Sequence, residues 1–290
     1  MSTGPGRRPL PGSLKQAICS ASEAFGQATR ELRSLPTFLI AGGQRCGTTS
    51  LFTALTQHPQ ITGPTLHKGV HYFDTGYAHG LDWYRGHFPV RSATRPRDGR
   101  PRIEVCESSP YYLFHPLCAQ RIAHDLPEIK VIVMLRDPVD RAHSAHSHEY
   151  AQGYETEPFE RALELEEERL RGEEERLRTD PDAHSYAHQH HAYLARGRYV
   201  DQLQRLEKHL GRDRLHIVES EDFCTDPAAV FSDIESFLGI AHHKEIRFGR
   251  HNTQHRADLS PDLRARLNAH FTDHDQRLAD WLGRPPAWRV

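Results

Sequence analysis

The sequence predicts an α/β fold with a parallel central sheet flanked by helices, and three observations carry that prediction. Short apolar runs at 38–41, 103–106, 131–135 and 215–218 alternate with segments of helical periodicity along the 290 residues. The first run passes directly into Gly42, Gly43, Gln44, Arg45, Cys46, Gly47, Thr48, Thr49 and Ser50, a glycine-rich turn of the phosphate-loop type that opens a helical pattern. The third run ends in Arg136, Asp137 and Pro138, a cation followed by a helix start. Parallel strands joined by right-handed crossovers bring both junctions to one carboxyl edge, where sheets of this class bind ligands.

Taken in order, residues 1–14 carry Pro5, Pro9 and Pro11 with Arg7 and Arg8 and read as a mobile leader without an apolar signal core. Residues 14–35 suit a helix packed on the outside of the fold. This divides the chain into a leader and helix, 1–34, and a single domain, 35–290. In the loop after the first strand, glycine tolerates unusual dihedrals, while the next helix offers unpaired N–H groups and a positive dipole end to an anion. A charged helical insertion spans 155–182, with Glu166, Glu167, Glu168, Glu173, Glu174 and Glu175 spaced to pair with arginines. It reads as a solvated helix, or alternatively as a lid or acceptor arm. Asp226 and Pro227, followed by apolar Val230, Ile234, Phe237 and Leu238, start a helix after the last strand. A helix over 261–282 closes the domain.

Composition narrows the function. A formal charge of −2 argues against a general nucleic-acid binder. No apolar run approaches the roughly 18 to 20 residues of a membrane span, and a cytoplasmic protein is the simplest expectation. Cys19, Cys46, Cys106, Cys118 and Cys224 are scattered and read as reduced thiols, and His184, His188, His190 and His191 lack partners at metal-ligand spacing, so no metal site is expected. Oligomeric state is not legible.

A nucleotide-triphosphate loop places lysine after its second glycine, where it reaches the terminal phosphates. Here Thr48 follows Gly47, and the loop cation is Arg45. This points to a donor of lower charge than ATP, bound without metal. The loop resembles that of sulfotransferases using 3′-phosphoadenosine 5′-phosphosulfate (PAPS), and the run from Lys130 through Arg136 to Ser144 resembles the 3′-phosphate element of that family. Lys68 to Asp74, Glu107 to Tyr112 and Arg196 to Tyr199 resemble further segments, closest in style to the glycan-modifying, heparan-sulfate-type and bacterial branch. The resemblance implies a P-loop-type sulfotransferase fold, PAPS as co-substrate, and a small-molecule or glycan acceptor. It also implies roles for residues. Gln44, Arg45, Cys46, Gly47, Thr48, Thr49 and Ser50 would hold the 5′-phosphosulfate, Arg136 and Ser144 the 3′-phosphate, and Tyr199, Asn252 and Arg256 other parts of the nucleotide. Lys68 would neutralise the sulfuryl group.

One departure matters. Many glycan sulfotransferases carry a glutamate base directly after the Lys68-type lysine, and this chain has Gly69. His71 is the expected base, returned to the same face by strand-like alternation, with Glu107 and Asp74 in reserve. The alternative is a catalytically weak or inactive PAPS-binding module, or a phosphotransferase. Tyr72, Phe73, Trp83, Tyr84, Tyr111 and Tyr112 read equally as core or as a stacking surface for a sugar or ring.

Overall fold

The computed structural model describes residues 12–97, 99–249 and 258–290. Five strands form one parallel sheet in the order β2-β3-β1-β4-β5: β1 Phe38–Gly42, β2 Ile61–Thr62, β3 Glu104–Ser108, β4 Lys130–Leu135 and β5 Leu215–Glu219. The helices are α1 Gly12–Ala28, α2 Thr48–Leu55, α3 Leu81–Arg85, α4 Arg91–Thr94, α5 Cys118–Asp125, α6 Pro138–Gln152, α7 Phe159–Leu170, α8 Glu173–Thr179, α9 Tyr186–His190, α10 Tyr199–Leu210, α11 Ser220–Thr225, α12 Pro227–Leu238 and α13 Pro261–Leu282. Two-residue β2 lies on the far edge and is too short to leave a pattern in the sequence.

The strands read as continuous apolar runs because both faces of the sheet are covered. One face sends Leu39, Val131, Val133 and Leu135 against residues of α5 and α10, and the other sends Phe38, Ile40, Ile132 and Met134 against α2 and α12. Fully burying such a side chain contributes roughly 1.5–3 kcal/mol. After β1 the chain crosses to β2 at the far edge, comes back to β3 beside β1 and then passes to β4 on the other side of β1, so the carboxyl ends of β1 and β4 meet at the reversal of strand order.

Local signals set several boundaries. Asp137 caps α6 by accepting from the N–H groups of Val139 and Asp140, and Asp226 caps α12 through Ala229. Pro138, Pro227 and Pro261 each sit at a first helical position, where proline's missing N–H costs nothing. The helix expected over 14–35 stops at Ala28, where the Thr29 hydroxyl turns back to the Phe25 carbonyl, and a single 3-10 turn, Arg30–Leu32, follows. Of the expected leader, residues 1–11 lie outside the described residues.

Candidate active site

The end of β1 is tied to β4, since Gly43 N donates to the Met134 carbonyl at 2.5 Å. Arg45 and Gly47 then take positive φ values of 66° and 90°, and Gly47 stands as N-cap of α2 with no side chain closing the helix end. Ser220 Oγ, from the end of β5, donates to the Cys46 carbonyl and braces the loop from below. The open end of an eight-residue helix and the surrounding cations fit a 5′-phosphosulfate.

The triphosphate-loop lysine missing from the sequence has a substitute in space. Lys68 Nζ donates to Thr48 Oγ1 at 3.1 Å and to Thr49 Oγ1 at 3.2 Å. Thr49 stands where triphosphate loops place the magnesium-binding hydroxyl and Thr48 where they place the lysine, and both here face an ammonium group. Burial pushes Lys68 down to about 8, against the opposing charge of Glu107.

The structure also brings Arg45, Arg136 and Ser144 together. Arg45 Nε donates to Ser144 Oγ at 3.1 Å, and Arg136 Nη1 approaches the Arg45 carbonyl at 3.5 Å. Arg45 thus bridges from the loop to the second turn of α6. Tyr199 and Cys46 serve differently from expectation, because both are enclosed, at 1% and 0% exposure. The Tyr199 hydroxyl donates to the Arg136 carbonyl at 2.7 Å and lies 3.8 Å from Cys46 Sγ. These two side chains hold the backbone of the site and present no polar atom to a ligand. Burial raises the Cys46 thiol to about 11, so it is no thiolate. Asn252 and Arg256 lie outside the described residues.

No strand forms over 68–74, so the alternation invoked for His71 does not exist. Val70 N donates to Glu107 Oε1 and His71 N to Ser109 Oγ, side-chain partners in place of a neighbouring strand. His71 adopts φ 57° instead. Its Nδ1 is 2.8 Å from Asp74 Oδ2, with the imidazole 47% exposed and the carboxylate fully enclosed. Burial works to lower the His71 pKa, but the hydrogen bond and charge of Asp74, with Glu107 beyond, outweigh it and raise the imidazole above its ordinary value. Asp74 on Nδ1 leaves Nε2 as the basic atom of the neutral ring.

Glu107 is closed off. It accepts from the hydroxyls of Tyr84, Ser109 and Tyr112 as well as from Val70 N, at 0% exposure. It anchors the segment that carries Lys68. Gly69 has a steric reason of its own, because a Cβ there would meet the Ser108 carbonyl at 2.6 Å and Ser109 Oγ at 2.7 Å. Tyr72, Phe73, Tyr84, Tyr111 and Tyr112 are core residues.

A second polar layer was not assigned from sequence. The Gln44 side chain accepts from Arg196 Nη1 on Oε1 at 2.8 Å and donates through Nε2 to Glu149 Oε1 at 3.0 Å, while Glu149 Oε2 also meets His190 Nδ1 at 2.9 Å. Arg196 lies over the rings of Tyr111 and Phe114 and is lowered to about 10 by burial. Apart from the Arg196 segment, nothing in the sequence marks these partners. The charged insertion contributes as well. It forms two helices, α7 and α8, and Glu166 is buried, accepting from Leu194 N and Ala195 N just before Arg196. Among the described residues no group of three or more His, Cys, Asp or Glu side chains is placed to hold a metal.

Residues 35–255 match the sulfotransferase domain family. A solved sulfotransferase from Alicyclobacillus acidocaldarius is 31% identical with a TM-score of 0.70, covering 89% of this chain and 100% of its own. The membrane-associated sulfotransferase kil1 of Dictyostelium discoideum is 25% identical over 89% of this chain and 68% of its own length. The human bifunctional heparan sulfate N-deacetylase/N-sulfotransferase 2 is 28% identical over 88% of this chain, which spans only 31% of that protein. The membrane-associated relative overturns the cytoplasmic expectation. Lack of a span does not assign a compartment, and all that stands is that no helix among the described residues is long and apolar enough to cross a membrane.

Proposed function

The chain belongs to the sulfotransferase domain family, an enzyme family with PAPS as co-substrate, and from that premise we propose that it moves the sulfuryl group to an acceptor hydroxyl by in-line displacement. The observation that carries this reading is that one short segment, 68–74, delivers both a cation to the loop hydroxyls and a carboxylate-oriented imidazole. The N–H groups at the start of α2, with Arg45, hold the 5′-phosphosulfate. Lys68 balances charge at the sulfuryl oxygens and on the bridging oxygen as it departs. Arg136 and Ser144 hold the 3′-phosphate.

His71 Nε2 takes the acceptor proton while the acceptor oxygen bonds to sulfur and the bond from sulfur to the phosphate oxygen breaks, leaving 3′-phosphoadenosine 5′-phosphate (PAP). Asp74 holds the tautomer and stabilises the imidazolium. A carbohydrate or hydroxylated natural product is the acceptor class; the human heparan sulfate relative supports a carbohydrate, although its name gives nitrogen as the atom that it sulfates.

The test is calorimetric titration with PAP, alongside ATP plus magnesium, followed by incubation with PAPS and a panel of sugars and phenols. Metal-independent PAP binding and a sulfated product support the reading. PAP binding without any product makes the chain a binding module, and binding of ATP alone overturns the donor.

A further inference from the structure

The edge of the sheet opposite the loop carries a separate charged surface. Residues 91–102 contain five arginines, Arg91, Arg95, Arg97, Arg100 and Arg102, against one acid, Asp98, in a chain whose formal charge is −2. All five are exposed. Arg97 and Arg100 pair as an antiparallel bridge, which holds the two side by side. Arg91, Arg95 and Arg102 line a cleft of about 500 Å³ beside the entries to β1 and β3.

Exposed apolar groups lie in the segment that runs into residues 34–37 on the wall of this cleft. Phe25 is 63% and Leu32 65% exposed. The stretch around Leu32 is fastened along the arginine strip by an Arg33–Val90 bridge, by Ser34 Oγ at 2.8 Å from Thr94 Oγ1, and by Arg91 Nη2 on the Glu31 carbonyl, and the Arg33 guanidinium lies 5.4 Å from the ring centre of Phe25. Acids on the same rim are Glu31 and Glu104, the latter 3.6 Å from Arg102, and the adjoining cleft that shares Arg102 adds Asp125 and Glu128. The catalytic arrangement uses none of these residues.

We propose that this face docks on a membrane surface rich in anionic phospholipid, with headgroup phosphates against the arginines and Phe25 and Leu32 at the acyl boundary. A soluble polyanion would account for the arginines alone, whereas a bilayer surface uses the charge and the apolar pair together. Guanidinium forks suit phosphate oxygens. Docked this way, the loop at the carboxyl edge faces water, and the acceptor arrives from solution.

The experiment is cosedimentation of the full chain with vesicles of phosphatidylcholine alone and of phosphatidylcholine with an equal share of phosphatidylserine. Binding is expected only to the second, and to weaken with salt. The combined Arg95→Glu, Arg97→Glu and Arg100→Glu variant loses affinity on the order of 100-fold or more. A Phe25→Ser, Leu32→Ser variant also binds more weakly. Both keep PAP affinity, which reports folding at the remote site. Equal binding to both vesicles, no sedimentation, an unaffected arginine variant, or retention on heparin without vesicle binding would each overturn the proposal.

Discussion

His71 Nδ1 sits 2.8 Å from the Oδ2 of an Asp74 carboxylate that has no solvent exposure. If this pair is the base, His71→Ala lowers kcat by roughly 10²- to 10⁴-fold and leaves PAP affinity unchanged. Steady-state rates paired with PAP titration check this, and undiminished turnover in the variant removes histidine from the mechanism.

The pH profile follows from two opposite displacements. His71 is raised, so the neutral imidazole needed for proton abstraction accumulates only above its ordinary range of ~6.5. Lys68 is lowered to about 8, so its charge is lost on the alkaline side. A bell-shaped kcat/KM is expected, and Asp74→Asn moves the acid limb downward. A rate that is flat through both limbs contradicts the assignment.

Restoring the usual glutamate is expected to harm the protein. Gly69→Glu puts a Cβ within 2.6 Å of the Ser108 carbonyl, a backbone atom that cannot swing away. Overpacking of this kind costs about 1–3 kcal/mol, measurable by urea unfolding. A variant of full stability and higher turnover would show that the segment adapts and that His71 is dispensable.

Removing Arg136 takes away a charged donor at the proposed 3′-phosphate site. Arg136→Ala weakens PAP by about 1.5–3 kcal/mol, roughly 10- to 150-fold, with Ser144→Ala smaller. Calorimetry with adenosine 5′-phosphate, which lacks the 3′-phosphate, serves as the control, and equal losses for both ligands would place the arginine elsewhere.

The charged insertion has a structural role that can be separated from its exposed charges. Glu166→Ala strands the N–H groups of Leu194 and Ala195, at a cost of about 1–3 kcal/mol, while Glu168→Ala on the exposed face leaves the melting temperature nearly unchanged. Equal effects from the two substitutions would refute the distinction.

Much of the frame was legible from local pattern. Four of the strands, the glycine loop, the cation at the end of β4 and the span of α13 follow from apolar runs, proline and cap positions, which act over a few residues. The limits of that reading are equally specific. Periodicity suggested a strand at His71, where the backbone hydrogen bonds in fact go to Glu107 and Ser109, and it joined Thr29–Leu35 to α1 although the helix has already ended.

The sequence by itself indicated four of the five strands, the carboxyl edge that carries the glycine loop and Arg136, and the family. Only the tertiary structure decided that Lys68 reaches the loop hydroxyls of Thr48 and Thr49, that Arg45 reaches Ser144 across 99 residues, and that Gln44 joins Arg196 to Glu149. The physical reason is range. Strand and helix signals are written in neighbouring residues, whereas the partner of a buried polar group is set by which distant segments the packed sheet brings within hydrogen-bond reach.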